Sequence, residues 1–209
     1  MIKVFVADQH PIIFEGLQSV FNRTSDIRVL DYAKSGKDTV CKLNSGEFDL
    51  VILEFTFSDT NGLDLIKRIR KANPMLPILF YCSRMEVPVA VRLLKSGASG
   101  LLKKEGKLEE LIEAVRLTAK HIKFITPDLA GDILQQMDRK NKEFLHDELS
   151  DREYNVMLMI SEGKMPMEIA GMLGLSAKTI STYRMRILKK MNMKTNAELI
   201  HYSIVHRLV

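Results

Sequence analysis

A chain of 209 residues with 46% hydrophobic content can bury a sizeable core, in one large or two small domains. Its two cysteines, Cys41 and Cys82, and five histidines without ligand spacing exclude a disulfide framework and a zinc site, and no apolar run approaches the roughly eighteen residues of a membrane span. A formal charge of +5 and a pI near 9.1 permit a nucleic-acid partner without requiring one, and "MIKVFVADQ" lacks a signal peptide's basic start and cleavage site, so a cytoplasmic location is expected.

In chain order, apolar β-rich runs alternate with helix-spaced segments. The runs are "IKVFVA" (2–7), "IRVLDYA" (27–33), "DLVILE" (49–54), "PILFYC" (77–82) and "SGLLK" (99–103). Between them "IIFEGLQSVF", "GKDTVCKL", "GLDLIKRIRKA" and "PVAVRLLKSG" carry helical periodicity, and "KLEELIEAVRLTA" follows the last run. Strands apolar on both faces and separated by helices predict βαβ units, hence a five-stranded parallel sheet covered on both sides. "TPDLAGDILQQM" then reads as a helix with Thr126 as N-cap, and the charged "DRKNKEFLHDE" (138–148) as an exposed linker. Beyond it helices dominate, with capping-box spacing in "SDRE" (150–153) and "TNAE" (195–198). The expected division is an α/β domain over 1–120, a helical linker over 121–146 and a small all-α domain over 147–209.

In "MEIAGMLGLSAKTISTYRMRILKKM" (167–191), Ala170, Gly174 and Ile180 have the spacing of a helix-turn-helix: a small residue at the crossing, a glycine for the turn, and an apolar anchor on the second helix. Ser176 is placed to cap that helix. From Ser176 to Asn196 there are six basic residues and no acid, which phosphate contacts would explain and which a solvated surface helix would also show.

The pieces "LSDRE", "EG", "EIAGMLGLSAKTIS" and "ILKKM" resemble the LuxR-type helix-turn-helix of NarL/FixJ-family response regulators, nearest the GacA and BvgA branch. The resemblance implies that the second helix enters the major groove of promoter DNA. Ser181, Thr182 and Met185 would then face bases, and Lys178, Thr179, Tyr183, Arg184 and Lys189 would hold phosphates. Ile180, Ile187, Leu188 and Met191 read as core. Leu199, Tyr202, Ser203 and His206 on the last helix serve either dimer contacts, as the family implies, or packing on the domain.

The α/β half resembles the same family's receiver domain, which implies a flavodoxin-like (CheY-like) doubly wound sheet with its chemistry beyond the C-terminal strand ends. The usual pattern has two acids after the first strand, an accepting Asp after the third, Thr or Ser after the fourth and Lys on the fifth. Here Asp8 stands with Gln9 in place of the second acid, Glu54 replaces the acceptor, Cys82 takes the hydroxyl position with Ser83 beside it, and Lys103 is the expected lysine. Glu places its carboxylate one bond farther out than Asp. Gln9 removes a charge from a Mg²⁺ site that would rest on Asp8. No cofactor is therefore expected with certainty, and Mg²⁺ is doubtful.

Two readings of Glu54 stay open: an ion pair with Lys103 that imitates the phosphoryl-to-lysine contact, or a solvated acid at a strand end. Three functions stay open with them. The chain is a homodimeric transcription regulator working without phosphorylation, a conventional regulator phosphorylated by a histidine kinase at Glu54 or Asp59, or a module that binds a regulatory protein through a degenerate receiver. The sequence has no Gly-rich phosphate loop and no nucleophile-base pair, so enzymatic activity is not expected.

Overall fold

The structure is a computed structural model describing residues 1–83, 85–138, 144–206 and 208–209. It divides into two compact units, Met1–Leu134 and Gln135–Val209, each described by itself.

The first unit alternates β1 (Ile2–Ala7), α1 (Pro11–Phe21), β2 (Ile27–Ala33), α2 (Gly36–Ser45), β3 (Leu50–Leu53), α3 (Gly62–Ala72), β4 (Ile78–Cys82), α4 (Val87–Lys95), β5 (Gly100–Lys103) and α5 (Leu108–Ala119). A short β6 (Phe124–Ile125) and α6 (Pro127–Asp138) follow. All strands are parallel in the order β2-β1-β3-β4-β5-β6, so the sheet has six strands rather than the five expected. The sixth is only two residues long and too short to show a period, but it pairs with Gly100 and Leu101 of β5.

One face of the sheet packs Val4, Val6, Leu50, Ile52, Leu79 and Leu102 against Leu17 and Phe21 of α1 and Leu111, Ala114 and Val115 of α5. By the two-residue period of a strand, Phe5, Val51, Leu53, Phe80 and Leu101 project to the opposite face and are fully buried there. Burial on both faces is why these strands read as continuous apolar runs instead of alternating ones.

Local chemistry fixes the helix starts. Ser35 and Asn61 side chains accept from Asp38 N and Asp64 N at the starts of α2 and α3. Asp59, one of the two candidate phosphoacceptors, accepts from Gly36 N at 2.8 Å and Lys37 N at 2.9 Å, so its carboxylate is bound to the α2 N-terminus. Gly36 is required for that approach, because a Cβ there would lie 2.1 Å from Thr60 Cγ2.

The second unit holds α7 (Asp151–Ser161), α8 (Pro166–Leu173), α9 (Ala177–Lys190) and α10 (Asn196–Val205). Both expected capping boxes form, at Ser150/Glu153 and Thr195/Glu198. Gly174 ends α8 with φ +64, Ala170 is 5% and Ile180 1% exposed, so the three residues do what their spacing requires. Ile187, Leu188 and Met191 are buried with Ile180, as expected of core.

The charged segment that leads into α7 departs from expectation only in part. Residues 139–143 lie outside the described residues; Leu145, Asp147 and Glu148 are exposed, as expected of a linker, but Phe144 is half-buried and His146 is buried. Leu145–Glu148 forms a 3-10 turn, and His146, 1% exposed, lies among Phe144, Tyr154, Tyr202 and His206, with Nδ1 2.9 Å from the Tyr202 hydroxyl. Composition could not reveal a histidine whose partners lie far along the chain.

Candidate functional site

The strand order reverses between β1 and β3, and the C-terminal ends of these two neighbours bring Asp8 and Glu54 together. Backbone geometry continues the ladder past the strands: Asp8 N donates to Ala33 O and Glu54 N to Ala7 O. Both side chains are buried, Asp8 at 4% and Glu54 at 9% exposure, so Glu54 is not a solvated acid at a strand end.

Their charge is met by a lysine, and that lysine is Lys104. Its Nζ donates to Asp8 Oδ2 at 2.5 Å and to Glu54 Oε2 at 2.6 Å. The expected Lys103 is exposed at the end of β5 and does not take part. The reason is the strand pleat: a shift of one residue turns a side chain to the other face. Lys103 pairs with Cys82 in register, and Lys104, just beyond the strand with its N–H on Cys82 O, is the one that reaches inward. Two adjacent lysines gave the sequence no means of choosing.

The remaining oxygens are also occupied. Asp8 Oδ1 accepts from His10 N at 2.8 Å and lies 3.1 Å from His10 Nδ1, and Glu54 Oε1 accepts from Phe55 N at 2.6 Å. Burial by itself lowers the Lys104 pKa, but the hydrogen bonds and charges of Asp8 and Glu54 outweigh it and hold the ammonium above the ordinary lysine value. Cys82, fully buried, has its thiol pushed well up by burial and by the Glu54 charge, so it stays neutral. A neutral buried thiol is a weak donor in place of a hydroxyl. Ser83 beside it is exposed, and Gln9 is half-buried.

This donor set does not suit Mg²⁺. A cation there would have to displace the Lys104 ammonium from both carboxylates, Gln9 contributes no charge, and no group of three His, Cys, Asp or Glu converges among the described residues.

In the helical unit, Ser176 accepts from Thr179 N at 3.1 Å and sets the start of α9. Lys178, Ser181, Thr182, Met185 and Lys189 share one exposed face, while Ile180, Ile187 and Leu188 line the opposite, buried one. Lys178, Thr179, Thr182 and Tyr183 line a groove together with Arg186, which the sequence counted among its basic residues but did not assign a contact. Helical spacing from Thr179 and Thr182 could have placed it.

The six basic residues are not equivalent. Lys190 donates to Glu153 Oε2 at 2.7 Å and to Glu148 O at 3.2 Å, and Arg184 Nε donates to Asn196 Oδ1 at 2.6 Å. Burial raises the Glu153 pKa, but its hydrogen bonds with Lys190 and Ser150 outweigh this and keep it below the usual range. Lys178, Arg186 and Lys189 make no ion pair among the described residues. On α10, Leu199 and Ser203 are buried, Tyr202 and His206 join the ring cluster, and the outward apolar residues are Ile204 and Val205, each 60% exposed.

Comparison with known proteins agrees with this geometry. The response regulator receiver domain family matches residues 4–116, and the luxR family of bacterial regulatory proteins matches 147–203. The response regulator UvrY of Escherichia coli K12 is 29% identical over 209 residues, covering all of this chain and 96% of the relative. The response regulator GacA of Pseudomonas protegens is 28% identical, covering all of this chain and 98% of that one. Among solved structures, RcsB of Salmonella typhimurium superposes with a TM-score of 0.76 at 22% identity over 96% of each chain. RcsB bound to promoter rprA gives 0.73 at 22%, over 96% of this chain and 97% of that one. Structural likeness at such identity speaks for the fold, and the sequence matches carry the assignment: the chain belongs to the response regulators that join a receiver domain to a LuxR-type helix-turn-helix.

Proposed function

We propose that the protein is a sequence-specific, homodimeric transcription regulator of double-stranded promoter DNA whose receiver works without conventional aspartyl phosphorylation. The observation that carries this reading is the Lys104 ammonium, shared between Asp8 and Glu54 at 2.5 and 2.6 Å. In a phosphorylated receiver the lysine pairs with an added phosphoryl group. Here the longer Glu54 side chain brings its own anion to the lysine, and the contact exists without the modification. Asp59 has both carboxylate oxygens bound to the α2 N-terminus, which disfavours it as an alternative acceptor.

The exposed cationic face of α9, where Lys178, Arg186 and Lys189 make no ion pair among the described residues, supports DNA as the partner. Ile204 and Val205 offer a second copy apolar surface to cover. No helix among the described residues is long and apolar enough to cross a membrane, and a promoter-DNA partner would be met in the cytoplasm. Control then lies in protein amount or a regulatory protein, not in a histidine kinase, and the chain is no enzyme. Glu54→Ala tests the switch: fluorescence anisotropy should show weaker promoter binding or weaker dimerisation than wild type, and unchanged binding would remove the role given to the clamp.

A further inference from the structure

The outward face of α9 runs Lys178, Ser181, Thr182, Met185, Lys189, with a cation at each end and Arg186 on its flank, in the groove beside Thr182 and Tyr183 where the phosphate backbone would run. Its three central residues are neutral, and their hydrogen-bonding capacity is restricted by the helix itself. Ser181 Oγ donates to Ala177 O at 3.0 Å and Thr182 Oγ1 to Lys178 O at 3.0 Å. Each hydroxyl proton is therefore committed to a backbone carbonyl, and only oxygen lone pairs face outward. Met185, 67% exposed, adds an apolar thioether between them and Lys189 and supplies no donor.

We propose that this face selects A·T pairs in the major groove. The inference rests on the DNA-binding reading above. Adenine presents an N6 amino donor, which a lone-pair-only hydroxyl can accept, and its partner thymine presents a C5-methyl that packs on the Met185 side chain. Cytosine satisfies the hydroxyl but has no methyl. Guanine presents only N7 and O6, both acceptors, which meet no donor from Ser181, Thr182 or Met185. Turning a hydroxyl outward to serve guanine would break its 3.0 Å bond to the helix. Only an A·T pair satisfies hydroxyl and thioether together.

The test selects duplexes from a pool with randomised half-sites, using the full-length protein at moderate salt, and then replaces thymines of the selected site by deoxyuridine, which lacks the methyl. The expected result is A·T pairs at the positions facing α9, and a loss of about fourfold in affinity for the critical deoxyuridine, the effect of one buried methyl. Met185→Ala should bind thymine and deoxyuridine duplexes equally, and Met185→Arg should move selection toward guanine. Guanine-centred sites, or equal thymine and deoxyuridine affinities for wild type, overturn the inference while DNA binding stands. Failure to retain any duplex above a salt-labile background would overturn the DNA-binding reading itself.

Discussion

Lys104→Met is expected to destabilise the receiver by about 3 kcal/mol, because it leaves Asp8 and Glu54 buried side by side with no countercharge. Most of that cost is the penalty of the uncompensated carboxylates rather than the net contribution of the pair. Adding Asp8→Asn and Glu54→Gln to Lys104→Met should therefore recover much of the loss. Chemical denaturation monitored by circular dichroism measures both variants, and a triple variant no more stable than the single one would contradict the account. Lys103→Met, at an exposed position, should change stability little.

The pH dependence follows from the same group. Lys104 is held above the ordinary lysine value of 10.5, so folding binds its proton more tightly than the unfolded chain does. Its contribution is complete below pH about 10.5 and is lost as pH rises through the higher folded value. The alkaline loss should be larger in wild type than in Lys104→Met, where other lysines held above their ordinary value, such as Lys42, still contribute.

The second large effect is expected in the helical unit. Lys178→Ala with Arg186→Ala should lower DNA affinity roughly tenfold per residue, since a charge-assisted hydrogen bond contributes about 1.5 kcal/mol. The slope of log affinity against log salt should become shallower by roughly 0.9 for each phosphate contact removed. Lys190→Ala provides the contrast. Its ammonium serves Glu153 and Glu148 O, so that substitution should lower the melting temperature of the unit and leave the salt slope nearly unchanged. An equal fall in slope for all three positions would mean that the ion pairs do not divide the basic residues as described.

What the sequence revealed followed physical periodicity. Four strands were legible because they are apolar on both faces, and the edge strand β2, with Arg28 and Asp31 and only its end residues buried, by its β-rich composition; β1 and β2 begin and end at the expected residues. β6 was not, because two residues carry no period. The capping boxes at Ser150 and Thr195 were legible because their chemistry spans four consecutive residues. Lys104, His146 and Lys190 were misplaced or unassigned for the opposite reason. What each does depends on partners many residues away, Glu54, Tyr202 and Glu153 respectively, and local pattern is silent about those. Asp59 illustrates the same limit: as a lone acid in a loop it looked available, and only the fold ties it to Gly36 and Lys37.

The most direct measurement of the central claim is the intact mass of the purified protein after incubation with acetyl phosphate and Mg²⁺, followed by promoter titration of the treated and untreated samples. A pocket whose carboxylates are already joined by Lys104 predicts no stable adduct and identical binding curves. A stable phosphoryl adduct mapping to Glu54 or Asp59, with tighter promoter binding in the treated sample, would contradict it.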